Sequence, residues 1–125
     1  MLLDKSGKLV KTLDFRGTKI EFLDKISAKD LFGVITAALE AVNIRERFKA
    51  NELVPKDWIK TPFEPILNAC ADEHGTINAE SQKHARRLFG VIIKQALIMT
   101  PLLFRQKGSD NDFEAILYVR ESLLA

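Results

Sequence analysis

The sequence predicts a mainly α-helical α+β fold: a compact bundle of four to five helices with a long central helix and an N-terminal β-hairpin or meander. Three observations carry that expectation. Apolar residues recur at helical spacing behind two cap motifs, at Ser27 and Asn78. A greasy run from Leu88 to Phe104 falls slightly short of a bilayer span and carries Lys94-Gln95 near its middle, so it fits a buried central helix better than a membrane helix. Residues 1–26 instead alternate around Gly7 and Gly17, as strands joined by turns do.

Taken in order, Leu2-Leu3, the turn signal Asp4-Lys5-Ser6-Gly7 and Leu9-Val10 form a hairpin pattern, and Thr18 to Phe22 alternates like a further strand. So small a sheet must lie on helices to be stable. Ser27 with Asp30 three residues on resembles a capping box, and Leu31, Ile35, Ala38, Leu39 and Val42 give the first helix its apolar face. A short helical piece from Ile44 to Phe48 follows. Residues 51–60, with Pro55 and the only Trp, Trp58, form an ordered connection. Thr61-Pro62-Phe63-Glu64 is a helix start, delayed by Pro65, and the helix is expected to reach about His74 before Gly75 stops it. Asn78 caps the long helix, which Pro101 kinks or ends. A last amphipathic helix is expected to carry Phe113, Ile116, Leu117, Val119, Leu123 and Leu124. With 125 residues and no linker composition, the chain is expected to be one domain, 1–26 supplying the hairpin and 27–125 the bundle.

The pentapeptide Leu-Phe-Gly-Val-Ile occurs twice, at positions 31–35 and 88–92. Each copy follows a Gly-Thr turn, so the echo implies two related helical units that pack on one another, with Gly33 and Gly90 permitting close approach. A mid-helix glycine otherwise costs about 1 kcal/mol relative to alanine.

Composition sets limits on function. A net charge of +2 neither demands nor forbids a polyanionic partner. The single Cys70 can form no internal disulfide, which favours a reducing compartment, and Met1-Leu2-Leu3 runs straight into Asp4-Lys5 without a signal-like apolar stretch. A cytoplasmic location, with no membrane association, is the resulting expectation. No phosphate-binding glycine loop and no nucleophile elbow is present, so neither an enzyme nor a cofactor is expected.

Two polar constellations stand out. Cys70 and His74 are four residues apart, as are Glu80 and His84, so together they could offer a metal sulfur, two imidazoles and a carboxylate. The intervening turn and the lack of a recognised ligand spacing favour instead a core cysteine and a surface Glu80–His84 pair. The stretch 72–80 also resembles the second half of an EF-hand calcium loop, with Gly75 at the bend. That alignment puts Cys70 first, Asp72 third, His74 fifth and Ser81 twelfth, so only Asp72 is an ordinary oxygen ligand in place. A helix–turn–helix bent at Gly75 accounts for the stretch without calcium.

The second constellation is basic: Lys83, Arg86 and Arg87 with His84, and Lys94 further along the same helix. Positive charge there opposes the helix dipole, so either local carboxylates or an acidic partner, nucleic acid included, must compensate. No aromatic residue is interleaved with these charges as a single-strand binder would have it. The sequence therefore favours a non-catalytic protein–protein interaction or assembly module, homo-oligomeric or a subunit beside another protein. A nucleic-acid-binding accessory protein using Lys83, Arg86, Arg87 and Lys94 is the alternative, and a metal-dependent activity around Cys70, His74, Glu80 and His84 is a second.

Overall fold

The computed structural model describes residues 1–13, 20–108 and 116–121. Among these the order is β1 (Leu2–Leu3), β2 (Leu9–Val10), a 3₁₀ turn (Ile20–Lys25), α1 (Ala28–Asn43), β3 (Arg47–Lys49), α2 (Ala50–Leu53), α3 (Glu64–Ala69), α4 (Ala79–Met99), β4 (Phe104–Lys107) and β5 (Leu117–Arg120). The fold is mixed α+β, with a five-stranded sheet ordered β2-β1-β4-β5-β3. No helix of the described residues is long and apolar enough to cross a membrane.

Local chemistry explains the elements that begin as expected. Asp4 closes the β1–β2 hairpin: its backbone N–H donates to the Lys8 carbonyl (2.8 Å), and its carboxylate accepts from the N–H groups of Ser6 and Lys8 (both 2.9 Å). Gly7 supplies the left-handed residue of that turn (φ 90°). Ser27 Oγ accepts from Asp30 N–H at the head of α1, and Asn78 and Ser81 cap α4 reciprocally. Replacing such a cap by alanine costs about 1 kcal/mol. α4 ends at Met99, two residues before Pro101.

Other expectations are corrected. The sheet is not confined to the N-terminal segment, because β3, β4 and β5 come from the part of the chain expected to be wholly helical. The expected short helix at 44–48 is strand from Arg47 on: Phe48 alternates with two exposed cations, a period of two that a helical reading overlooks. The expected C-terminal helix is overturned at Leu117–Arg120, which pairs antiparallel with both β4 and β3. A run of four apolar residues, 116–119, has no periodicity to separate strand from helix, and here the free edge of β4 decides. The remainder of that expected helix, 113–115 and 122–124, lies outside the described residues. So do Thr18 and Lys19 of the expected second N-terminal strand, whose last residues, Ile20 to Phe22, are 3₁₀ rather than strand. α3 stops at Ala69, short of His74.

Side chains of alternate strand residues divide the sheet into two faces. Leu2, Phe48, Phe104 and Tyr118 enter one core with Val34, Ala38 and Val42 of α1, Ile66 and Leu67 of α3, and Leu88, Phe89, Ile92, Ile93, Ala96 and Leu97 of α4. Phe48 packs edge-on to Phe104 (6.1 Å between centroids) and beside Tyr118 (5.5 Å). α1 and α4 pack together, and the Thr100 hydroxyl donates to the Asn43 side chain (2.6 Å) where they end. The glycine-to-glycine contact expected between the echoed segments is absent, since Gly33 faces open space with no atom within 4 Å of where a Cβ would stand.

Candidate functional site

The loop between α2 and α3 is a tight structure built from its own side chains. Asp57 accepts from Ile59 N–H (3.0 Å), Thr61 Oγ donates to the Trp58 carbonyl (2.8 Å), and Glu64 accepts from Lys60 N–H (2.8 Å). Lys60 at φ 64° completes the reversal. This arrangement turns Trp58 inward, edge-on to Phe89 at 6.0 Å, while Phe63 meets the same ring at 4.9 Å. It turns the next side chain, Ile59, outward, where it is 63% exposed.

Across from Ile59 runs the turn before α4. Asp72 organises it as an Asx turn, its carboxylate accepting from His74 and Thr76 N–H (both 2.9 Å), with Gly75 at φ 76°. The Asp72 oxygen that the calcium-loop alignment singled out is thus committed to the turn's own backbone. Ile77 emerges from this turn exposed. Between the two loops, α3 and the first turns of α4 lies a cleft of about 590 Å³ with Trp58, Ile59, Leu67 and Ile77 as apolar lining and Lys56 and Arg86 among the polar lining. Its volume falls in the range of roughly 300–1,000 Å³ typical of binding pockets.

The charges around this cleft are unequal in availability. Asp57 and Glu64, its two carboxylates, already accept backbone N–H bonds. The side chains of Lys56 and Arg86 have no hydrogen bond or ion pair with any described residue. The cleft therefore presents an apolar floor with two uncommitted cations.

The basic residues of α4 do not act as one face. Lys83 and Arg87 are exposed, but Lys94, which shares their side of the helix, is only 9% exposed and belongs to the half of α4 enclosed by the core. Arg86 points elsewhere, into the cleft wall. Lys94 is accordingly withdrawn from the expected interface.

Nor are Cys70, His74, Glu80 and His84 gathered. Among the described residues no three metal-capable side chains come together. Cys70 is buried, and burial pushes its thiol up to about 11, the opposite of a reactive thiolate. His74 lies in the open beside Glu73 (3.5 Å). His84 meets Glu80 at 3.3 Å and packs against the Phe22 ring at 5.3 Å.

Sequence reasoning singled out Arg86 but not Ile59 or Ile77, which lie in loops. Their only sequence signal was that neither fits a helical or alternating pattern. Comparison of the chain with protein-family models, with curated proteins and with solved structures finds no match in any of the three.

Proposed function

We propose that the protein is a non-catalytic interaction module that docks a protein segment in the cleft between Ile59, Ile77 and Arg86. The observation that carries this reading is two exposed isoleucines facing one cleft, floored by a tryptophan and bordered by an uncommitted arginine. Aromatic and arginine side chains dominate the energetics of protein interfaces, and isolated rim charges do not. The occupant that matches is a segment presenting an apolar side chain next to a carboxylate, from a second copy of the chain or from another subunit. Arg86 makes that carboxylate more than incidental, because the cleft's own carboxylates are engaged with the backbone.

The test joins one measurement of size with one of recognition. Sedimentation of the purified protein should show self-association that Ile59→Asp abolishes, or else a monomer that selects peptides of apolar–acidic type from a displayed library. In the second case Ile59→Asp and Arg86→Glu should each weaken the selected peptides at least tenfold. A monomer that selects no peptide, or peptides indifferent to both substitutions, sinks the reading.

A further inference from the structure

The side chains that leave the core on the other face of the sheet form a pattern of their own. Arg47 and Lys49 of β3 and Arg105 and Lys107 of β4 flank β5 from either side. Arg47 stands opposite Val119, and Val119 opposite Arg105; Lys49 stands opposite Leu117, and Leu117 opposite Lys107. Since inward neighbours Phe48, Phe104, Gln106 and Tyr118 are all buried, these six residues share the outer face. The result is four cations at the corners of a rectangle, with a half-exposed apolar bar between them.

Strand geometry makes that rectangle roughly 10 Å across the strands and roughly 7 Å along them. Both spacings are close to the screening length of about 8 Å at physiological ionic strength, so the four potentials overlap. Arg105 is paired with Glu121. Arg47, Lys49 and Lys107 are exposed, and their side chains have no ion pair or hydrogen bond with any described residue. Glu121 offsets the charge of Arg105, but Arg47, Lys49 and Lys107 still repel one another, and a polyanion relieves that repulsion.

We infer that this face binds the backbone of a single-stranded nucleic acid. The face can follow a flexible strand whose phosphates meet the two cation rows and whose base faces lie on Leu117 and Val119. Phosphate and apolar base alternate along such a strand, as cation and apolar side chain alternate on the face; a run of carboxylates lacks the apolar half. The described residues place no aromatic ring on the outer face, so recognition is by backbone charge and is indifferent to base sequence. The surface uses none of the residues of the cleft and does not depend on the function proposed for it.

The probe is a fluorescent oligouridine, followed by anisotropy over a salt series. Contact with three or four phosphates gives a slope of log K against log salt of about −2 to −3, at roughly 0.7 per phosphate. The double variant Lys49→Glu/Lys107→Glu should weaken binding at least tenfold at low salt. The neutral pair Lys49→Gln/Lys107→Gln should make the slope shallower by about 1.4. Lys83→Glu/Arg87→Glu on α4 should change neither. All four positions are solvent-facing, and circular dichroism verifies that each variant remains folded. Absence of binding at low salt overturns the inference, as does loss of binding in the α4 variant alone. It is equally overturned if polyglutamate or phosphatidylserine vesicles displace the oligonucleotide at lower charge concentration than unlabelled oligouridine does, since the face would then belong to an acidic protein or a lipid surface.

Discussion

The same five residues, Leu-Phe-Gly-Val-Ile, lie in α1 and in α4, and their surroundings differ at nearly every position. Phe32 is 74% exposed and Phe89 is 0% exposed. Leu88 is buried where Leu31 is only half-buried, and only the valines, Val34 and Val91, are buried in both. The cause is the helix around each copy. α1 buries a single stripe, Val34, Ala38 and Val42, and Phe32 precedes Val34 by two residues, about 200° around the axis. α4 lies between α1, α3 and the sheet side of the core, so it buries residues on most of its circumference. A short string carries its helical propensity with it, but its burial is decided by what the helix packs against.

The comparison is broken most directly at the phenylalanines. Phe89→Ala removes the ring that Trp58 and Phe63 both meet edge-on, and it should cost about 3–5 kcal/mol. Phe32→Ala removes a ring that is mostly in water and should change stability by no more than about 0.5 kcal/mol. Urea unfolding midpoints of the two variants check this, and similar shifts would mean that the two copies are packed alike after all. Because Trp58 floors the cleft, Phe89→Ala should also lower the affinity of any peptide that docks there, whereas Phe32→Ala should not.

The elements legible in the sequence were those with a local cause. Ser27 and Asn78 cap through their own side chains, Asp4 and Gly7 close a hairpin within five residues, and Pro101 stands just beyond the end of α4. The elements that were missed depend on partners far away in the chain. Arg47–Lys49 and Leu117–Arg120 are three and four residues long; the first becomes a strand only because the second pairs with it, and the second because both β3 and β4 flank it. The same reason hid the basic sheet face: Arg47-Phe48-Lys49 and Phe104-Arg105-Gln106-Lys107 each alternate, but only the register with β5 between them sets four cations around Leu117 and Val119. In the cleft, Arg86 was legible as a charge and Ile59 and Ile77 were not legible as its neighbours, since two loops eighteen residues apart had first to be folded against α3. Lys94 was misplaced for the converse reason. Its helix position matches Lys83 and Arg87, but burial changes along the length of α4, and helical spacing reports only angle.

The smallest effect sharpens the comparison at the glycines. Had the echoed segments met through them, Gly33→Ala would force two helices apart and destabilise the protein. Gly33 instead faces open space inside α1, so an added methyl group meets nothing while the helix loses its most flexible residue. The substitution should therefore stabilise the protein, by about 0.4–1 kcal/mol, chiefly by narrowing the unfolded ensemble. A rise in the urea midpoint with an unchanged slope would confirm that sign. A fall would mean that the first copy of the pentapeptide is covered in solution, by a second molecule or by another part of the chain, and that its glycine serves close packing there.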